Sequence, residues 1–209
     1  MHVVAKVSGM AQLDKIMYAV CHKSPVIKMY AVDTFSTFSE GIHVEGMKDP
    51  SDMVVCRDDL QLYVADWNCC IWRVLADDHS YESWLPAEST LTRSSFHSLS
   101  VTSRRLLVTS WKPPGLRQYN TRDRQLLRVV PLPGYVSELF HACETARGTF
   151  VICHRGTSRE HQQQCAVSDP LVFIRPATVV PCGLMFYCKC CCGQNFMLSV
   201  NISQVTVRV

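Results

Sequence analysis

The chain has no apolar run long enough to cross a bilayer. Its longest, Ala177–Cys188, is broken by Pro181 and Gly183, whereas a spanning helix needs about 20 apolar residues in succession. Residues 1–10, MHVVAKVSGM, lack the charged segment and apolar stretch of a secretory leader. A strong charge of either sign is missing too: 21 Lys and Arg against 18 Asp and Glu leave +3, far from the basic footprint of a dedicated nucleic-acid binder. There is no Gly-x-Ser-x-Gly elbow, phosphate loop or His-Glu-x-x-His pair, so neither an enzyme nor a cofactor is expected. With 47% apolar and 19% charged residues the chain can build a core and is not disordered by composition. A cytoplasmic location is therefore the default expectation, and there its 12 cysteines would remain mostly thiols.

What is present is repetition. A short apolar phrase ending in Trp or His occurs at Met17–His22 (MYAVCH), Leu62–Trp67 (LYVADW), Leu106–Trp111 (LLVTSW) and Thr149–His154 (TFVICH). The copies start about 43–45 residues apart, the repeat length of four-stranded propeller blades. The second copy predicts four strands, Asp52–Cys56, Leu60–Asp66, Ile71–Leu75 and Tyr81–Leu85, separated by tight turns with no helical period between them. The third repeats the plan at Ser98–Thr102, Leu106–Ser110, Leu116–Tyr119 and Leu126–Val130. In the fourth only the first two strands, Phe140–Cys143 and Thr149–Cys153, are plain, and the third, Cys165–Val167, comes late after a longer loop, Arg155–Gln164. Beyond Asp169 the pattern dissolves, with Leu171–Ile174 a candidate outer strand. In the first repeat, taken to start at Lys15, the phrase is followed by Val26–Val32 and Gly41–Val44. Upstream, His2–Val7 reads as a possible strand and the rest as a link. The expected fold class is therefore all-β. It is an incomplete β-propeller of about four antiparallel four-stranded blades over residues 1–170, followed by a divergent Cys-rich tail over 171–209. That tail is read as disordered or as a gene-model artefact. Its last run, Met197–Val209, alternates like a strand but fits no blade.

Tyr63-Val64-Ala65-Asp66-Trp67-Asn68 leading into Ile71, with the Pro-containing entry Asp49-Pro50-Ser51-Asp52, resembles an NHL repeat. The resemblance is specific over Asp49–Leu85. It departs from the family where Cys70 replaces the usual Arg and where the turn is one residue short. It implies a six-bladed TolB-like propeller, of which this chain holds about four blades, leaving blade faces through which it would self-associate. It also implies a module that recognises protein partners, as in larger ubiquitin ligases, although no RING or B-box spacing is present.

Aligned on the phrase, His22, Trp67, Trp111 and His154 fall at the exits of equivalent strands, and Lys23, Lys112 and Arg155 follow three of them. Equivalent loops emerge on one face of a propeller. The seven residues are thus expected to form an arc of aromatic and basic groups that binds a protein. The same arc suits single-stranded RNA through stacking and phosphate contacts. The competing account makes the rings wedges packed between blades. Asp66, at a strand exit, is expected to accept N–H groups of the following turn. A metal-dependent, lactonase-like hydrolase would need carboxylates recurring at one position of the repeat, and at that position only Asp66 is acidic. Cys188, Cys190, Cys191 and Cys192, with Cys182 upstream, offer thiols for a soft metal. They lack the two separated pairs of a structural zinc site, so no metal is expected.

Overall fold

The computed structural model describes residues 6–38, 40–68, 70–85, 96–111, 113–132, 134, 136–145, 148 and 150–156, and the backbone of short strands at 164–168, 173–174, 200–201 and 204–205. Among these residues all regular structure is β, and no helix is long and apolar enough to cross a membrane.

Four antiparallel four-stranded sheets follow one another along the chain, each a meander. The first holds β1 (Val7–Leu13), β2 (Ile16–Cys21), β3 (Val26–Ala31) and β4 (Ile42–His43). The second holds β5 (Pro50–Cys56), β6 (Gln61–Asp66), β7 (Cys70–Leu75) and β8 (Tyr81–Leu85). The third holds β9 (Phe96–Thr102), β10 (Arg105–Ser110), β11 (Gly115–Asn120) and β12 (Leu126–Val130). The fourth holds β13 (Val136–Glu144), β14 (Phe150–Gly156), β15 (Gln164–Ser168) and β16 (Phe173–Ile174). A separate pair, β17 (Val200–Asn201) with β18 (Gln204–Val205), is all that is described of the last expected strand. The first sheet begins earlier than the phrase alone implies. Val7–Leu13, read from sequence as mostly a link, is its leading strand, because Ser8, Gly9 and Gln12 interrupt the apolar pattern.

Consecutive sheets meet through their leading strands, β1 against β5, β5 against β9 and β9 against β13. Between each pair lies one core. Tyr18, Val20 and Ile27 of the first sheet pack on Met53, Leu62 and Val64 of the second. Tyr63, Ile71 and Trp84 pack on Leu99, Leu106 and Val108. Leu107 and Leu116 pack on Leu139, Phe150 and Ile152. A strand between two cores is buried on both faces, which is why the phrase reads as a continuous apolar run rather than an alternation. Leu62, Tyr63, Val64 and Ala65 are all fully buried: the first and third face one core, the second and fourth the other. Full burial of each large side chain contributes about 1.5–3 kcal/mol.

The outer hairpins also repeat. The turn from the third to the fourth strand closes with a residue in the left-handed region at Phe35, His79 and Arg124. Just before it, Thr34, Asp78 and Asp123 accept the amide of the residue two further on, Ser36, Ser80 and Gln125. In the same three repeats, Val32, Ala76 and Thr121 donate their amides to Lys15, Leu60 and Arg104. Polar groups tie sheets together as well. Glu144, nearly buried, accepts Gln118 Nε2 (2.8 Å) and pairs with Arg105 and Arg128 of the third sheet (each 3.3 Å), with Arg128 also lying over the Phe150 ring.

Candidate functional site

Each leading strand carries an irregularity near its start. Pairing with the second strand skips Ser8, Ser51, His97 and Phe140, so each of these is a bulged residue. A bulge inserts one unpaired residue and re-aims the side chains beside it. The residues immediately after the four bulges, Gly9, Asp52, Ser98 and His141, are therefore structurally equivalent, opposite Val20, Ala65, Thr109 and Cys153.

These four positions come together across the sheets. A Cβ on Gly9 would lie 2.6 Å from the Met53 amide nitrogen, so β1 approaches β5 this closely only because residue 9 has no side chain. Asp52 Oδ1 accepts the Met53 amide (2.8 Å), and Oδ2 accepts both the Leu99 amide (2.8 Å) and the Ser98 hydroxyl (2.9 Å). Ser98 Oγ is in turn hydrogen-bonded to His141 Nδ1. Burial raises the Asp52 carboxyl to about 6, against the lowering effects of the Leu99, Ser98 and Met53 hydrogen bonds and of His97. The His141 imidazole is lowered to about 4, first by burial and then by His97. In this order the carboxylate holds the serine rather than the imidazole, and Ser98 is only 4% exposed. The array therefore lacks the carboxylate–imidazole contact by which a hydrolase orients its base.

Beside the array lies an aromatic group. Trp67 and Trp111 are half-buried and meet edge to face, centroids 5.6 Å apart at 83°. His97 lies 5.1 Å from Trp67 and 6.2 Å from Trp111, and Phe140 is 6.1 Å from His97. The second, third and fourth sheets all contribute to this group.

The residues of the expected arc are placed as follows. Trp67 and Trp111 are brought together. His22 is 42% exposed and pairs with Asp49 (Nδ1–Oδ1, 2.6 Å), which also accepts the Lys23 amide (3.2 Å), with Lys23 at φ 58°. Asp66 accepts the amides of Lys48 (2.8 Å), Asp49 (3.3 Å) and Asn68 (2.9 Å), and Asn68 Nδ2 (2.8 Å), tying the strand exit to the entry of the same sheet. His154 requires a correction. It is fully buried and does not lie at a strand exit. Cys153, not Ile152, is the counterpart of Ala65 and Thr109, and Phe150 and Ile152 face the third sheet as Leu62 and Val64 face the first. The fourth phrase is therefore Phe150–Arg155. A slip of one residue along a strand exchanges its two faces, so His154 matches buried Asp66 and Arg155 takes the exit position. Arg155 is paired with Glu138 through the backbone. Its side chain, Lys112, and Cys182, Cys188, Cys190, Cys191 and Cys192 lie outside the described residues. Among the described residues no three His, Cys, Asp or Glu are placed to hold a metal ion.

Asp52, His97, Ser98, Phe140 and His141 were not reached from the phrase. They stand upstream of it at an offset that changes where the β5–β6 turn is longer than those of the first and third sheets, so aligning phrases does not align them.

No family model matches the chain, and no curated protein matches it. Its backbone is similar to solved structures at low identity. One is the computationally designed Ika4 protein, with a TM-score of 0.57 at 10% identity, covering 83% of this chain and 94% of that one. A chain of a Nidogen/Laminin complex gives 0.61 at 14%, covering 81% and 63%. A chain of Kuenenia stuttgartiensis hydrazine synthase gives 0.61 at 12%, covering 81% and 51%. This chain therefore spans less than two thirds of either natural chain, and the likeness is one of fold: a succession of antiparallel β-sheets.

Proposed function

We propose that the four sheets are blades of an incomplete propeller of the NHL type, and that the protein is a non-enzymatic module binding a protein partner at the face where the second strands end. The observation that carries this reading is the Trp67–His97–Trp111 group, three aromatic side chains from two adjacent sheets with both indoles half-buried. Tryptophans held rigid by their neighbours and still partly open to solvent lose little entropy when covered. They are the side chains on which protein interfaces most often depend.

The experiment is selection from a phage-displayed random peptide library against the full chain, with Trp67→Ala and Trp111→Ala as counter-targets and oligouridylate RNA as a second probe. Peptides that bind the native chain and lose at least tenfold in affinity with either variant are the expected result. RNA binding that weakens steeply with salt, unaffected by the tryptophan changes, would replace this reading by the nucleic-acid one.

A further inference from the structure

Ser98 bridges a carboxylate on the sheet before it and an imidazole on the sheet after it. A hydroxyl has one proton to donate, so it points at one neighbour and must accept from the other. Two arrangements satisfy every group. In the first, Asp52 is ionised and accepts from Ser98, and Ser98 accepts from a proton on His141 Nδ1. The imidazole is then neutral, with an unprotonated Nε2. In the second, Asp52 is protonated and donates to Ser98, and Ser98 donates to Nδ1. A neutral imidazole must then carry its proton on Nε2.

We propose that Asp52, Ser98 and His141 form a proton relay in which the ionisation state of Asp52 sets the tautomer of His141. One proton converts the first arrangement into the second. It joins Nε2 of His141, the Nδ1 proton passes to Ser98 Oγ, and the original Ser98 proton passes to Asp52 Oδ2. Charge and protons balance, and Asp52, only 5% exposed, gains its proton without meeting solvent. His141 Nε2 changes from hydrogen-bond acceptor to donor while the ring never becomes cationic. The window is set by the two groups: Asp52 titrates near 6, and His141 stays neutral down to about 4.

The surroundings favour a self-contained relay. From β9 the titratable neighbour is His97, which acts on both ends. β1 presents Gly9, which has no side chain, and β10 presents Thr109 opposite Ser98. β6 places Ala65 opposite Asp52, followed by Asp66, whose carboxylate is bound to the amides of Lys48, Asp49 and Asn68. β14 places Cys153 opposite His141, followed by buried His154.

The test is a pH titration of the full chain carrying ¹⁵N-histidine, reading ring nitrogens by long-range ¹H–¹⁵N correlation and the Asp52 carboxyl by ¹³C shift. Loss of signals in His141→Gln assigns the ring. The expected result is a neutral His141 that changes from the Nδ1–H to the Nε2–H tautomer together with Asp52, near pH 6. The tautomer ratio should pass from roughly tenfold one way to tenfold the other within about one pH unit on each side. Ser98→Thr, which keeps a hydroxyl, retains the exchange, and Ser98→Ala abolishes it. A single tautomer throughout the Asp52 titration overturns the relay. So does an imidazolium forming at the same midpoint, or an exchange that survives in Ser98→Ala. Should Ser98→Ala not fold, the native titration decides alone.

Discussion

Gly9 and Met53 are in backbone contact, and a methyl group on residue 9 would sit 2.6 Å from the Met53 amide nitrogen and 2.9 Å from the Asp52 carbonyl carbon. Neither neighbour is a side chain able to turn aside. Gly9→Ala must push β1 away from β5, and overpacking of this kind costs about 1–3 kcal/mol. Urea denaturation should show the midpoint falling with an unchanged slope. An unshifted midpoint would mean that the first two sheets are not joined at this point.

Asp52 and His141 have opposite pH linkages. Asp52 is raised to about 6 when folded, so its contribution is full below its unfolded value and is lost as pH rises through 6. His141 is lowered to about 4, so the folded state resists its protonation, and stability falls as pH drops from 6.5 towards 4. In the native protein the two slopes oppose each other between pH 4 and 6. Asp52→Asn leaves the histidine slope alone, and its stability should fall on acidification by on the order of 3 kcal/mol. His141→Gln should do the reverse and gain stability from pH 7 to pH 4. Melting temperatures of the two variants across this range check the signs directly.

Trp67 and Trp111 touch edge to face, so their truncations should not be additive. A double-mutant cycle on unfolding should return a coupling of about 0.5–1.5 kcal/mol, as for other aromatic pairs. Each single change should cost less than the roughly 3–5 kcal/mol of a fully buried aromatic, because both rings are only half-buried. Losses at the full value in both variants would make the rings wedges and remove them from the binding face.

Much of the strand order could be read from one phrase, for a physical reason. A strand between two cores has no polar face, and Leu62–Ala65 therefore stands out from its flanks. The leading strands carry the array but were less legible. Bulges at Ser8, Ser51, His97 and Phe140 break their alternation just where the equivalent residues sit. The fourth repeat shows how small an error matters. Reading it from Thr149 instead of Phe150 put His154 on the exit face, and the fold buries it. The hydrogen bonds joining Asp52, Ser98 and His141 have no local sequence signal, since their partners are more than 40 residues apart and depend on the sheets being assembled.

β12 forms the outer edge of the third sheet and exposes Leu126 (46%), Leu127 (43%) and Val129 (59%). Exposed apolar edges invite pairing with other chains, and a lysine there discourages it. Sedimentation velocity should show self-association of the native chain that Val129→Lys reduces. An unchanged distribution would assign any association to another surface.

Glu144 is held by Gln118, Arg105 and Arg128 across the third and fourth sheets. Both arginines remain partly exposed, so Glu144→Ala should cost about 1–3 kcal/mol, the range for losing a buried hydrogen-bonding partner. The loss should appear as earlier unfolding of residues 136–156 in hydrogen exchange, ahead of the second sheet.

That last expectation follows from how the cores are threaded. Each is made by sheets adjacent in the chain, so structure can grow outward from any one pair without first closing a long loop. Such an arrangement behaves as a row of coupled units, with stability transmitted from neighbour to neighbour. The second and third sheets each touch two cores, the second through Leu62 and Val64 on one side and Tyr63 and Ala65 on the other, the third through Leu106 and Val108 and through Leu107 and Leu116. This central pair is the natural nucleus: the first region to acquire amide protection as the chain folds and the last to surrender it.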